Sequence, residues 1–233
     1  MDNNLLQIKV KQRLNKIDSK DYDNIECWQI AEAFNKAQLE KVRRFIDPLD
    51  PRMAGDEQNL RRVDDLQILL TRKDLGGSNK LNFFETESLP GNYLAYKRIS
   101  VDGSHEECGK RVMKVYLAEE ADADILLGDA LSQPSFEWGE TFCTLIGNKA
   151  RIYTDGKFSV SKPRLIYYRK PLPVQFAGCV DPSTGKVYIR DQHCEFKDDI
   201  AELFVDEAVS ILAGDYESMA QYQRGTTNAE RNN

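Results

Sequence analysis

The chain has little of several things that usually announce a function. Only two of its 233 residues are histidines, His105 and His193, so any scheme built on an imidazole base has two candidates. It contains no Gly-x-Ser-x-Gly elbow, no Walker A glycine loop and no Gly-x-Gly-x-x-Gly turn. The common acyl-transfer, nucleotide and dinucleotide signatures are therefore missing. No apolar run approaches the roughly 20 residues that cross a bilayer, so no membrane partner is expected. The first residues, MDNNLLQIKVKQRLNKI, interleave charge with apolar side chains and lack the continuous apolar core of a secretory signal. That pattern predicts a chain that stays where it is made. Glycine and proline number 14 and 8 with no Gly-X-Y period, which excludes a collagen-like chain. What remains, 41% hydrophobic and 30% charged residues, suits a folded core of ordinary size.

Five cysteines, Cys27, Cys108, Cys143, Cys179 and Cys194, are odd in number and widely spaced, which predicts reduced thiols and no disulfide. The net charge is −6, and it is unevenly distributed. Residues 1–75 balance at 14 basic and 14 acidic side chains and residues 76–175 at 13 and 13, whereas residues 176–233 hold 5 and 11. The surplus at the C-terminal end disfavours general nucleic-acid binding and suits solubility or docking on a basic surface.

Residues 1–75 read as helical. Leu6, Val10, Leu14 and Ile17 mark a short amphipathic helix. Ile25, Trp28, Ala31, Phe34, Ala37 or Gln38, Val42 and Phe45 mark a longer one, with Asp23 and Glu26 as a capping pair and Asp47-Pro48 as its stop. Leu60, Val63, Leu66 or Gln67, and Leu70 predict a third helix, after the turn-forming connector DPLDPRMAG. From about residue 76 the period shortens to that of strands. GGSN and LPGN read as turns, and NYLAYKRIS and KRVMKVYLA as a hairpin joined at Asp102-Gly103. AEEADADILLGDALSQP reads as a short helix or structured loop, and CTLIG, ARIYT and RLIYYRK as strands joined at Gly147-Asn148 and Asp155-Gly156. QFAGCV and KVYIRD suggest a further hairpin across DPSTG.

A last helix is expected from about Asp199, with Glu202 completing a capping box, Ile200, Leu203, Phe204, Ala208, Ile211 and Leu212 buried, and Gly214 as the left-handed end. The class is α+β: N-terminal helices, a central and mostly antiparallel β region, and a C-terminal helix followed by an extended tail. The expected organisation is a single domain over 1–214, with a helical part to 75, a β-rich part over 76–191 and the final helix over 192–214. An interaction tail occupies 215–233. It is too poor in apolar residues to bury itself and is expected to order only against a partner.

Several constellations could carry chemistry. His105 with Cys108 and His193 with Cys194 supply zinc-type ligands, but neighbouring residues of a strand point to opposite faces and match no common zinc spacing. Glu106-Glu107, the Glu119, Glu120, Asp122 and Asp124 run, and Asp198-Asp199 could bind a cation or act as acid and base. The run is no EF-hand, and Asp198 and Asp199 suit the positive end of the last helix. Arg43-Arg44 and Arg61-Arg62 lie beside as many acids, which fits intrahelical or intersubunit ion pairs better than a phosphate track. Ile166-Tyr167-Tyr168-Arg169-Lys170-Pro171 mixes aromatics with cations as base-stacking surfaces do, yet its alternation is first a strand signal. No catalytic residue, metal ligand or cofactor is assigned.

The region from about residue 136 to 233 resembles neck ring and head-to-tail connector proteins, portal adaptors or tail rings, of crAss-like podoviruses, which are tailed bacteriophages. The resemblance is carried by ARIYTDGKFSVSKPRLIYYRKPLPVQFAGCVDPSTG, by IAELFVDEAVSILAGDYES and by the terminal QYQRGTTNAERNN. It implies a non-enzymatic structural protein of the virion that forms an oligomeric ring in the neck and is assembled in the host cytoplasm. The implied partners are copies of itself, the portal protein, neighbouring neck or tail rings, and genomic DNA passing through the channel without sequence-specific binding. Tyr216, Met219, Tyr222, Arg224 and Arg231 of the tail are the expected interface residues, and the surplus acids are expected to line the channel. The alternatives are a phage accessory enzyme using Asp and Glu metal ligands, and a nucleic-acid-binding module.

Overall fold

The computed structural model describes residues 1–14, 25–46, 64–181 and 183–215. The chain is α+β and divides into two compact units, Met1–Ile68 with Pro171–Asn233, and Leu69–Lys170. The α-helices that lie wholly within the described residues are α1 (Asn3–Leu14), α2 (Cys27–Ile46), α3 (Ala123–Gly128) and α4 (Asp198–Asp215). The strands are β1 (Leu70–Asp74), β2 (Gly77–Asn79), β3 (Phe83–Thr86), β4 (Tyr93–His105), β5 (Gly109–Leu117), β6 (Glu140–Ile146), β7 (Lys149–Tyr153) and β8 (Phe158–Arg169).

The first unit is helical. Leu6, Val10 and Leu14 form the buried stripe of α1, while Ile17 lies outside the described residues. On α2 the three-and-four spacing buries Ala31, Phe34, Ala37, Gln38 and Val42. Its start is held by Gln29, whose side-chain oxygen accepts the Glu26 N–H at 2.9 Å; Asp23 is outside the described residues. Helix α4 buries Ile200, Phe204, Ala208 and Leu212 as expected and adds Ala201, Val205 and Val209, so it is covered on most sides. Phe204 meets Phe34 and Phe196 edge-on, at ring separations of 5.9 and 5.1 Å. Leu203 and Ile211, expected in the buried stripe, are only half-buried, and two further details of α4 differ from the sequence reading. Glu202 pairs with Lys9 and Arg13 of α1 rather than capping its own helix, and the helix runs through Gly214 to Asp215.

Polar side chains tie the two sequence segments of this unit together. Asn35 clamps Val174 from both sides, accepting its N–H at 2.7 Å and donating to its carbonyl at 3.1 Å. Asn3 donates to the Gln175 carbonyl at 2.8 Å and to Asp191 at 2.9 Å. Cys27 and Cys179 form a disulfide with Cα atoms 6.0 Å apart, which corrects the expectation of five reduced thiols. A separation of 152 residues in sequence says nothing about distance in the fold, so counting and spacing cysteines could not reveal the pair. The QFAGCV and KVYIRD segments meet as an irregular hairpin, with isolated bridges at Gln175↔Gln192 and Val180↔Val187.

The second unit is one eight-stranded sheet in the order β1-β8-β4-β5-β6-β7-β3-β2. All neighbours are antiparallel except β5 and β6, whose parallel pairing requires the long crossover that carries α3. The sheet curls into a barrel because β1 and β2 follow one another along one run of chain. β1 pairs with β8 and β2 pairs with β3. Between them the Leu75 N–H donates to the Pro163 carbonyl at 2.8 Å, and Asn79 brackets Val160 with hydrogen bonds of 3.0 and 3.1 Å. Alternation along each strand fills the interior with Ile99, Val101, Met113, Val115, Ile152, Val160, Leu165 and Tyr167.

Three expectations fail here for identifiable reasons. Asp102-Gly103 lies inside β4, and the turn falls at Glu106–Cys108 before Gly109, whose φ is +76°. Gly103 is instead a packing glycine, since a Cβ there would stand 2.4 Å from the Met113 sulfur. Leu70, read as the end of a third helix, begins β1; only Asp64, Asp65 and Leu66 of that stretch are α-helical among the described residues. Three residues of GGSN, Gly77, Ser78 and Asn79, form β2 rather than a turn. Gly147-Asn148 does form the expected two-residue turn, with φ of 56° and 61°. Asp155-Gly156 likewise falls at the link between β7 and β8, with Gly156 at a φ of 78°, although those two strands are not paired with each other.

Candidate functional site

The outward face of four adjacent barrel strands, β1, β8, β4 and β5, carries a cleft of about 860 Å³. Period-two alternation builds it: the residues between the core positions face out, and several of them are cations. Arg72 on β1 and Arg98 on β4 both stand opposite Ile166 of β8, one on each side. One step along, Arg164 of β8 and Lys114 of β5 both stand opposite Ser100 of β4. With strands about 4.8 Å apart and about 6.8 Å per two residues, these four backbones mark a quadrilateral of roughly 10 by 7 Å. A register shift between Tyr96 and Arg98 makes Lys97 an extra residue of β4. The bulge lets Lys97 join the cleft beside Arg98 rather than point into the barrel.

The electrostatics of the cleft are mixed but lean positive. Arg164 pairs with Asp102 at 2.5 Å, both partly buried. Arg72 stands 3.8 Å from Asp74 and Lys114 3.9 Å from Glu140, looser pairs between exposed groups. Lys97 lies over the Tyr168 ring, 5.9 Å from its centre. The tyrosines of the cleft are engaged elsewhere. The Tyr96 hydroxyl accepts the Ile99 N–H at 3.0 Å and donates to the Val115 carbonyl at 3.4 Å; burial pushes its pKa up, so it stays protonated. Tyr116 donates to Glu140 at 2.9 Å, and that hydrogen bond raises its pKa.

Sequence reasoning singled out none of these five cations. The signal was present in the alternation of Lys110, Val112, Lys114 and Tyr116, which reads as a strand with a cationic outer face. It could not be joined to Arg72 and Arg164 without the sheet order, because those residues lie far away in sequence.

The constellations considered from the sequence are dispersed. His105 stacks on Phe136 at 5.4 Å, and its Nδ1 accepts the Glu107 N–H in the hairpin turn. Cys108 is exposed, whereas Cys143 and Cys194 are buried. Burial pushes the Cys143 thiol up to about 12. No group of three or more His, Cys, Asp or Glu side chains converges among the described residues. Arg44 is neither intrahelically paired nor left for another subunit, since it reaches Glu207 of α4 at 3.0 Å. Arg61 and Arg62 lie outside the described residues, as do the tail positions Tyr216, Met219, Tyr222, Arg224 and Arg231. In the aromatic and cationic strand the faces alternate as expected, but Tyr167 and Tyr168 are both buried and offer no open ring.

A second charged centre lies in the helical unit and reads differently. Arg13 of α1 also reaches Asp206 of α4 at 2.7 Å. Lys41 of α2 is almost fully buried, and desolvation lowers its pKa against the pull of Glu207. These charges are spent on holding helices together. No described helix is long and apolar enough to cross a membrane. No protein-family model matches the chain, and no curated protein matches it in sequence.

Proposed function

We propose that the chain is a non-enzymatic structural protein of a tailed-phage virion, forming an oligomeric ring in the neck between portal and tail. Its partners on this reading are copies of itself, the portal protein, adjoining ring proteins and the DNA that passes through the channel. The sequence resemblance motivates the proposal, and one structural observation supports it. The crossover between β5 and β6 displays large apolar side chains to solvent: Ile125 is 68% exposed, Leu131 94% and Trp138 79%. Scattered apolar residues need no partner, but a tryptophan, a residue type enriched at interface hot spots, exposed on the same short segment as Ile125 and Leu131 suits an interface anchor. The segment is also held in place before any partner arrives. Phe136 is buried, and Arg111 donates to the carbonyls of Phe136 and Glu137 at 3.0 and 2.7 Å. Such preorganisation lowers the ordering cost of association.

A ring needs only modest affinity at each contact, because closure multiplies it. Electron micrographs of the purified full chain should show closed rings, and antibodies against it should mark the neck of intact particles. The double variant Leu131→Ser, Trp138→Ala should lose the rings while melting at an unchanged temperature, since both side chains are exposed. A chain that stays monomeric and is absent from particles would overturn the proposal.

A further inference from the structure

We infer that the cationic cleft on the barrel wall is the surface that meets the phosphate backbone of double-stranded DNA. The inference takes from the neck reading only that duplex DNA lies alongside the chain, and the geometry supplies the rest. Charge separates by unit. Leu69–Lys170 hold 15 basic and 14 acidic side chains, which leaves 17 and 24 for the helical unit, a net +1 against −7. Within the barrel, the acids Glu119, Glu120, Asp122, Asp124 and Asp129 sit on the crossover, and Glu106 and Glu107 sit in the hairpin turn. The cations Arg72, Lys97, Arg98, Lys114 and Arg164 share one cleft. Its nearest acids are Asp74, Asp102 and Glu140, and only Asp102 holds its cation closely. The others keep flexible, exposed charges available for exchange with phosphates.

Two features select a duplex backbone over a single strand. Cations spaced by roughly 7 and 10 Å suit sequence-independent contact with successive phosphates, a readout of charge and spacing. A succession of stacking platforms, the signature of single-strand sites, is not offered: Tyr96 is hydrogen-bonded at the barrel wall and Tyr168 is buried beneath Lys97, which leaves Tyr116, its hydroxyl on Glu140, as a single exposed ring in the cleft. The surface that meets DNA is thus a cationic wall rather than the acid lining expected from the sequence.

The test is fluorescence anisotropy of the full chain with a labelled duplex of about 24 base pairs in rising salt. With four or five cations engaged, log K should fall against log salt with a slope of about −4, so binding weakens by roughly two hundredfold between 50 and 200 mM. Arg98→Ala, Lys114→Ala should reduce the slope by about two. Lys149→Ala, Arg151→Ala, on β7 outside the cleft, should leave it unchanged. Thermal melting confirms that each variant is folded. The inference fails if no duplex binding is seen at 50 mM salt, if both double variants behave alike, or if a single strand of equal length binds more tightly. Rings that form without binding DNA would defeat this inference alone, and a monomer that binds DNA through the cleft would defeat the ring reading alone.

Discussion

The barrel is one uninterrupted stretch of chain, whereas the helical unit is assembled from two stretches separated by the whole barrel sequence. That difference explains where each unit spends its polar chemistry. The strands of the barrel are held to one another by ladder hydrogen bonds, and its edge strands are brought round by the Leu75 and Asn79 bonds, so its outward side chains are left over for solvent or a partner. The helical unit must bring residues 1–68 and 171–215 together, and its distinctive bonds all run between them. Arg13 reaches Asp206, Asn3 reaches Gln175, Asn35 reaches Val174 and Cys27 reaches Cys179. Lys9, Arg13 and Arg44 of the helical unit are taken up in pairs between its helices, whereas Arg72, Lys97, Arg98 and Lys114 of the barrel wall stand exposed.

The sharpest way to break this contrast is to cut the covalent tie. In the chain-entropy account, a link across 152 residues contributes about 5 kcal/mol by restricting the unfolded state. Cys27→Ser, Cys179→Ser should therefore lower the melting temperature strongly and raise amide exchange in α1, α2 and α4, while β4 and β8 keep their protection. Thiol labelling provides the companion count. Native protein should react at the exposed Cys108 and not at the buried Cys143 and Cys194, unreduced denatured protein at three thiols, and reduced denatured protein at five. Equal loss of protection in strands and helices would show that the two units unfold as one.

Paired core truncations come next in size. Phe204→Ala removes a fully buried ring flanked by two others and should cost about 4 kcal/mol, and Leu165→Ala in the barrel interior about 3 kcal/mol. Denaturant unfolding followed by exchange should place the first loss in the helices and the second in the strands. Losses shared evenly between the units would erase the distinction drawn here.

The same contrast governs what could be read from the sequence. Helices α1, α2 and α4 were legible because each buries a stripe whose period lies within a dozen or so residues, as Leu6, Val10 and Leu14 do. The β6–β7 hairpin was legible because Gly147-Asn148 dictates its own turn. Asp102-Gly103 misled because a turn dipeptide and a packing glycine look alike until Met113 is seen filling the space across the strand. Leu70 followed a helical period yet entered a sheet, since β8 supplies the backbone partners that local propensity does not register. The disulfide and the cationic cleft were invisible for one shared reason. Each joins residues whose closeness depends on sheet order or helix docking, and neither leaves a mark on local spacing.

The smallest effect compares two aspartate-capped turns, one in each unit. In the helical unit the Asp181 carboxylate accepts hydrogen bonds from the Ser183 hydroxyl, the Ser183 N–H and the Thr184 hydroxyl, which hold its pKa down to about 2. In the barrel crossover the Ser132 hydroxyl, then the Leu131 N–H, lower that of Asp129. Both carboxylates are favoured by the folded turn, so their contribution is complete above the unfolded value near 3.9 and is lost as pH falls through the folded value. The Ser183 amide resonance should titrate with a midpoint near 2 and that of Leu131 below the ordinary aspartate range. Asp181→Asn and Asp129→Asn should each flatten its own curve and leave the other intact. A Ser183 midpoint at the ordinary aspartate value would mean that this turn does not hold its carboxylate as the crossover turn does.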